Sequence, residues 1–223
     1  MNAEAITIDA GADGVTSGLW LAPPSARACL ALAHGAGAGM THKSMTALAE
    51  GLAARGIATL RYNFFYMERC SKRPDPPPRA HAAVRAAVAA AQARAPRLAL
   101  FAGGRSFGAR MTSQAQAIEP LAQVRGLVFF AFPLHPAGKP SVERAEHLMA
   151  VPTSMLFLQG ENDALASLDL LRPALERLGA RATLKLYAHA DHSCHVPAKS
   201  GCKDADVLAE ILDDASAWML ARA

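Results

Sequence analysis

The sequence has little of what marks a nucleic-acid-binding protein. Aromatic residues make up 6% and charged residues 19% of its 223 residues, and only six of the 23 Lys and Arg residues are lysines. Nucleic-acid surfaces combine a clustered basic face with aromatic side chains. The modest net charge of +4 is spread along the chain, so we expect no nucleic-acid partner.

The sequence also has no segment that is typical of proteins directed to or through membranes. The start, MNAEAITIDAGADG, has no basic stretch followed by an apolar one, unlike a secretory signal. The bulky apolar run at residues 127–134 is far shorter than the roughly 18 residues of a membrane span. Four cysteines form no CxxC pair; the spacing of Cys194 and Cys202 would let them pair, but reduced thiols are expected without export. These features predict a cytoplasmic protein with no membrane partner.

What the chain does have is an alternation of short apolar runs and helical patterns. Hydrophobic residues make up 52% of it, including 50 alanines, which is enough for a core. The alternation predicts a mostly parallel sheet with helices on both faces, preceded by an antiparallel strand pair. No stretch resembles an interdomain linker, so residues 1–223 are expected to form a single domain. Strands are predicted at 6–8, 18–21, 29–33, 57–62, 98–102, 126–132, 155–158 and 183–187, and helices near 45–52, 81–95, 168–178 and 204–220.

The strongest functional signal is the segment Gly104-Arg105-Ser106-Phe107-Gly108. It follows the apolar run LALFA and opens a helical pattern, as a nucleophile elbow requires. The sharp turn strains the backbone of the serine and leaves no room for side chains two residues before and after it. Gly104 and Gly108 meet that requirement, so the motif predicts Ser106 as a nucleophile. An ordinary strand-to-helix turn with a capping serine is the alternative.

A serine nucleophile needs a base that takes its proton and an acid that orients the base. Asp163 follows the apolar run in MLFLQGENDAL, and His192 follows the next one in LKLYAHADHSCH. Both are therefore expected at the carboxyl edge of the sheet, where they would complete a triad with Ser106. Asp191 adjoins His192 and cannot readily turn its carboxylate onto that imidazole, and Glu161 is expected to be a solvated loop acid.

Acyl transfer also requires N–H donors for the developing oxyanion. One should be the backbone N–H of Phe107, and the other should come from the glycine-rich loop HGAGAG, with Ala36 as the first choice and Gly37 as the alternative. The loop has neither the GK[ST] ending of a Walker motif nor a GxGxxG helix opening. Nucleotide binding is therefore not expected, and no cofactor is predicted.

Several histidines could have other roles. His189, His192, Cys194 and His195 lie within seven residues and could be read as ligands of a metal-dependent hydrolase. Zinc sites usually draw ligands from two separated segments, and no second cluster is evident, so no metal is predicted. Four other histidines are expected to be structural or solvent-exposed: His34 holding the glycine loop by hydrogen bonds, and His42, His81 and His147 facing solvent.

These segments together resemble the α/β-hydrolase superfamily, in a compact form without an inserted cap domain. More closely, the chain resembles a group of small hydrolase-like proteins related to a testis-expressed protein and to the hydrolase-like domain of a histone-acetyltransferase-complex subunit. The shared segments are AHGAGAG, RYNFFYMERCSKRPD, GGRSFGAR with MTSQAQA, FPLHPAGKP, FLQGENDAL and ADHS. They spread from about residue 33 to 193, so the resemblance spans the fold.

The resemblance implies an α/β-hydrolase fold, a Ser106–Asp163–His192 triad, and hydrolysis of a carboxylic ester, thioester or related acyl bond of a small substrate. Some members of the group resemble interaction domains, so a catalytically idle module is the alternative. One departure is Cys70, where the group's pattern has a small residue such as glycine. The more distant dienelactone hydrolases carry cysteine at the nucleophile position, so Ser106 is evidence against that specific activity.

Two loops, MERCSKRPDPPPR and FPLHPAGKP, are expected to form the mouth of a shallow pocket. Arg105, Lys72, Arg73 and Lys139 would place positive charge near it. This arrangement predicts a preference for substrates with an anionic group, and solvated surface cations are the alternative interpretation.

Overall fold

An eight-stranded sheet runs through the computed structural model, which describes residues 2–223. Its strands are β1 (Glu4–Asp9), β2 (Val15–Leu21), β3 (Ala28–Ala33), β4 (Ile57–Tyr62), β5 (Ala99–Arg105), β6 (Val124–Phe130), β7 (Ser154–Gly160) and β8 (Ala182–Tyr187). The helices are α1 (Lys43–Ala53), α2 (Phe65–Glu68), α3 (Pro77–Arg94), α4 (Phe107–Ile118), α5 (Leu168–Glu176) and α6 (Asp204–Leu220). Every strand predicted from the sequence is present, although β6 ends at Phe130 because Ala131 turns the chain with a φ of 57°.

The strand order is β1-β2-β4-β3-β5-β6-β7-β8. β2 pairs antiparallel with both β1 and β4, and all other pairs are parallel. The prediction of a mostly parallel sheet with an antiparallel pair at one edge is therefore confirmed. From β3 the chain crosses to β4 on one side, whereas from β5 it proceeds to β6 on the other. The loops after β3 and β5 thus leave the sheet next to each other, at the type of switch point where α/β proteins bind ligands.

Helices cover both faces of the sheet. α1 and α6 pack on one face, and α3, α4 and α5 pack on the other. All residues of β3 and β4 are buried, which is why these strands read as continuous apolar runs in the sequence. The alanine-rich α3 buries Ala80, Ala83, Ala87 and Ala91 against the sheet. No helix within residues 2–223 is both long enough and apolar enough to cross a bilayer.

Of the histidines that were expected to face solvent, His81 is buried and His147 is half-buried. His81 is buried, with its Nε2 atom 3.2 Å from Oε1 of Gln114. The Nε2 atom of His147 lies 2.7 Å from Oγ of Ser113. Both predictions were wrong because α3 and the 3-10 helix at residues 143–150 pack against α4 and turn these rings inward. His42 is exposed as predicted, and its ring accepts a hydrogen bond from the first turn of α1.

Cys70 lies in an exposed turn after α2 with a φ of 52°. Its backbone N–H donates to the carbonyl oxygen of Met67, at 3.0 Å, and closes the turn. A left-handed backbone costs a residue with a side chain about 1–2 kcal/mol, whereas glycine adopts it freely. This conformation explains why a glycine is expected at this position from the resemblance. Cys194 and Cys202 are free, as are the other two cysteines.

The half-buried ring of His147 makes stability depend on pH. Burial, together with the charges of Arg110 and His81, lowers the pKa of His147 to about 4. In the unfolded chain a histidine pKa is near 6.5, so between these values the unfolded state binds a proton that the folded state does not. We expect the free energy of unfolding to fall as the pH is lowered from about 6.5 to 4, by up to about 1.4 kcal/mol per pH unit from this residue. Urea denaturation at pH 7, 6 and 5 measures the change.

Two variants test whether this pH dependence of stability comes from His147. His147→Gln, which retains a polar partner for Ser113, should unfold with a weaker pH dependence than the wild type. His42→Gln alters an exposed histidine and should leave the dependence unchanged. Equal pH dependence in the wild type and in His147→Gln would show that the ring is protonated as readily in the folded state as in the unfolded one.

Candidate active site

Ser106 occupies the turn between β5 and α4, with φ 51° and ψ −113°. This backbone conformation is strained for a residue with a side chain and persists only where surrounding contacts fix it. The N–H of Ser106 donates to the carbonyl oxygen of Phe130, at 3.1 Å, which ties the turn to the end of β6. The serine lines an open cavity at the carboxyl edge of the sheet.

The two glycines of the turn lie where the backbone of β3 comes very close. A Cβ atom on Gly104 would lie 2.5 Å from the carbonyl oxygen of Ala33, and one on Gly108 would lie 2.6 Å from that of His34. Side chains are excluded at both positions by this approach. The same approach places the loop after β3 beside the serine.

The structure brings Ser106, His192 and Asp163 together, from three different strand ends. The Nε2 atom of His192 lies 2.8 Å from Oγ of Ser106, and its Nδ1 atom lies 2.7 Å from Oδ2 of Asp163. The aspartate side chain is completely buried, and the histidine side chain is 23% exposed. With its proton on Nδ1, the imidazole donates to Asp163 and accepts from the serine hydroxyl, so it can take the serine proton.

Asp163 is held by groups that the sequence reasoning missed. Gln159, inside the apolar run of β7, donates from Nε2 to Oδ2 of Asp163, and the Leu165 N–H donates to Oδ1 at 2.7 Å. Oε1 of Gln159 in turn accepts from the Phe132 N–H at 2.9 Å. The sequence did contain a signal for this role of Gln159, because an amide side chain in a buried strand must find hydrogen-bond partners. Glu161 is exposed, as expected for a loop acid.

The loop that carries His192 is fixed against the end of β7. A Cβ atom on Gly160 would lie 2.3 Å from the carbonyl oxygen of Ala190, so the two backbones touch. Oδ1 of Asp191 accepts from the N–H groups of Ser193, at 2.7 Å, and His195, at 3.0 Å. Asp191 therefore shapes the loop and does not pair with the neighbouring imidazole, in line with the prediction.

The four residues considered as metal ligands do not converge on one point. His192 contacts the serine and the aspartate, and His189 is exposed. The Nδ1 atom of His195 lies 2.9 Å from Oδ2 of Asp204. Burial raises the pKa of Cys194 to about 11, so its thiol is protonated at neutral pH. In the part of the chain that the structure describes, no three His, Cys, Asp or Glu side chains are grouped to hold a metal.

Two backbone N–H groups beside the serine are placed to receive a negative charge. A Cβ atom on Gly35 would be 3.7 Å from that of the serine, so the loop after β3 borders the site. The Gly37 N–H donates to the hydroxyl of Tyr66 at 3.2 Å and is already occupied. Among residues 2–223, the N–H groups of Ala36 and Phe107 have no protein acceptor. The geometry therefore favours Ala36 over Gly37 as the second donor.

His34 anchors the start of this loop, which is the role expected from the sequence. Its Nδ1 atom lies 2.7 Å from the carbonyl oxygen of Gly35, and its Nε2 atom accepts from the N–H of Phe64 at 3.1 Å. Burial lowers the pKa of His34 to about 4, so the ring is neutral at neutral pH. A neutral ring can donate from one nitrogen and accept at the other, as both contacts require.

The cavity in front of the serine has a volume of about 360 Å³. Of the four cations predicted near its mouth, Arg105 lines it, together with Ala36, Leu165 and His192. The side chains of Lys72, Arg73 and Lys139 are not part of its lining. All three are exposed, the first two in the loop after α2 and the third in the loop after β6, so their position at the mouth stays a prediction.

The close contact between the turn and β3 makes a direct prediction for Gly108→Ala. Its added methyl group would press on the carbonyl oxygen of His34, so we expect a loss of about 1–3 kcal/mol in the free energy of unfolding. Gly35→Ala is the control, because its methyl group would meet nothing closer than 3.6 Å. Chemical denaturation compares the two variants. Equal stability of Gly108→Ala and Gly35→Ala would refute the packing argument.

Comparison with known proteins agrees with the observed fold. The model of the α/β-hydrolase domain family matches residues 26–220. XC6422 from Xanthomonas campestris, described as an α/β serine hydrolase without a lid, is similar over 98% of this chain and 95% of that protein, with 23% identity and a TM-score of 0.74.

Two further solved structures share the architecture. The dienelactone hydrolase of Anabaena variabilis ATCC 29413 has 19% identity and a TM-score of 0.80 over 99% of this chain and 98% of that one. The esterase domain of a Rhodothermus marinus protein has 15% identity and a TM-score of 0.75 over 99% of each chain. Identities this low establish a common fold and not a common substrate. With the family model matching most of its length, the chain belongs to the α/β-hydrolase family.

Proposed function

We propose that the protein is a serine hydrolase that cleaves a carboxylic ester, thioester or related acyl bond of a small substrate. The observation that carries this proposal is the pair of contacts joining Ser106, His192 and Asp163, at 2.8 and 2.7 Å. Serine, imidazole and a buried carboxylate in this order form the arrangement that activates a hydroxyl for attack on a carbonyl carbon. The strained turn at Ser106 supports the same role.

The first half of the reaction forms an acyl-enzyme. The hydroxyl oxygen of Ser106 attacks the carbonyl carbon while Nε2 of His192 takes its proton. Asp163 accepts a hydrogen bond from Nδ1 and stabilises the imidazolium that forms. The negative charge on the substrate oxygen is stabilised by the N–H groups of Phe107 and Ala36, which have no acceptor among residues 2–223. The imidazolium of His192 protonates the leaving alcohol or thiol, which departs as the carbonyl re-forms and so completes the acyl-enzyme.

The second half releases the acyl group. The neutral imidazole takes a proton from water, which attacks the acyl-enzyme, and then returns that proton to Oγ of Ser106 as the acid leaves. The chain's own residues provide every group in this sequence, so the mechanism uses no cofactor.

We also place the chain in the small group that includes relatives of the testis-expressed protein and of the acetyltransferase-complex subunit. Several of the segments shared with that group contribute to the site: AHGAGAG forms the loop after β3, GGRSFGAR contains Ser106, and FLQGENDAL carries Gln159 and Asp163. The cytoplasmic location and the absence of nucleic-acid and membrane partners stay predictions from the sequence.

The first test of this function is Ser106→Ala. Removing the nucleophile should lower the rate of hydrolysis of p-nitrophenyl acetate by at least about 10³-fold, because no other group in the mechanism can form the acyl-enzyme. Ser141→Ala, a serine in the loop after β6, is the matched control and should keep the wild-type rate. Circular dichroism verifies that both variants are folded.

A fluorophosphonate probe provides the second readout of that test. Mass spectrometry should find the label on Ser106 of the wild type and no label on Ser106→Ala. Folded wild-type protein that neither hydrolyses the ester nor reacts with the probe would contradict the hydrolase proposal and favour the catalytically idle interaction module.

Arg105 supports a preference for substrates that carry an anionic group, because its side chain lines the cavity of the proposed site. We expect kcat/KM for 4-carboxyphenyl acetate to exceed that for the neutral 4-carbamoylphenyl acetate by up to about fivefold, as for a partly exposed ion pair. The ratio should fall in Arg105→Gln and at high salt, and it should persist in Lys139→Gln. Equal kcat/KM values for the two esters in the wild type would contradict the predicted preference for an anionic group.

A further inference from the structure

A second cavity, of about 140 Å³, adjoins the one in front of Ser106. Ser44, Arg105 and Ser193 line both cavities, so the two spaces share a wall. Ser44 belongs to the first turn of α1, Arg105 precedes the nucleophile, and Ser193 follows His192 in sequence. The second cavity therefore lies beside the place where the acyl bond would be cleaved.

The interior of this second cavity is apolar. It lies between α1 and α6, above the carboxyl ends of β6 and β7. Its lining residues come from the hydrophobic core on that face of the sheet or pack against that core: Leu48, Phe130, Leu158, Cys194, Leu208 and Ile211. The methyl group of Ala47 completes the wall on the α1 side. The charged residues of the lining are Arg105, on the shared wall, and Asp204, which pairs with His195.

The lining and the size select the chemistry of an occupant. A charged or strongly polar group would lose its hydration here and find few partners, which is unfavourable, whereas an apolar group gains by leaving water. An engineered cavity of about 150 Å³ lined by Leu, Ile and Phe holds one benzene molecule. A cavity of about 140 Å³ therefore matches a chain or ring of about six carbon atoms.

We propose that this cavity binds an apolar arm of the substrate, a chain or ring of about six carbon atoms joined to the acyl bond that Ser106 attacks. The proposal rests on the proposed hydrolase function and adds to it the substrate class: esters or thioesters with one short to medium apolar arm. Ala47, Leu48 and Leu208 are then residues that determine chain-length specificity. An arm of more than about six carbons exceeds the volume of the cavity.

Two series of esters test the proposal on the wild-type protein. One series lengthens the acid as its methyl ester from two to twelve carbons, and the other lengthens the alcohol as its acetate. Each methylene buried should raise kcat/KM about fourfold until about six carbons are reached, after which the value should level off or fall. The series that shows this optimum identifies whether the acid or the alcohol occupies the cavity.

Ala47→Leu tests whether the optimum comes from this cavity. Its larger side chain would fill about half of the space, so the ratio of kcat/KM for six-carbon over two-carbon esters should fall at least about tenfold. Leu208→Ala enlarges the cavity and should move the optimum to longer chains. Ala89→Leu is the matched control, because Ala89 is exposed on α3, on the opposite face of the sheet, and it should retain the wild-type ratio.

The outcomes separate this proposal from the hydrolase function. If two-carbon esters are hydrolysed and Ser106 is labelled, but neither series has an optimum, the cavity is not a substrate site. An optimum that survives unchanged in folded Ala47→Leu has the same meaning. If no ester is hydrolysed and Ser106 is not labelled, the hydrolase function itself fails. An optimum near six carbons that Ala47→Leu removes and Ala89→Leu keeps supports the proposal.

Discussion

The buried charge of Asp163 is the constraint on which the geometry of the site depends. Its carboxylate has no exposed surface, so its oxygens must be satisfied by donors from the protein. Those donors come from Gln159 in β7, from the backbone of Leu165, and from the imidazole of His192. Because Gln159 also accepts from Phe132 after β6, the orientation of the imidazole is fixed by three neighbouring strand ends. The histidine is thus oriented before any substrate arrives.

Much of this arrangement could be predicted from the sequence, because each part has a local cause. Parallel strands buried on both faces read as apolar runs, and residues directly after such runs lie at one edge of the sheet. Ser106, Asp163 and His192 each follow a run of this kind, and the structure places their side chains in contact. The role of Gly104 and Gly108 could be predicted because the turn has steric requirements that only residues without side chains meet.

The features that escaped prediction depend on packing between elements distant in sequence. The sequence around His147 has no periodicity that marks the ring as buried; its environment is decided by how the 3-10 helix at residues 143–150 packs against α4. Whether Lys72 and Lys139 come near the cavity is decided by the path of two loops and not by the composition of those loops. The apolar cavity is a gap between α1 and α6, and a gap between two helices leaves no trace in the pattern of either one.

The steric role of Gly104 and Gly108 bears on how related sequences should be interpreted. The backbone of β3 and of the residue after it leaves no room for a side chain at either position, whether or not the residue at position 106 is reactive. A homologue that has lost its chemistry would still keep both glycines, since replacing them would damage folding. The glycines are therefore markers of architecture, whereas the proposed hydrolysis depends on the residues at positions 106, 163 and 192.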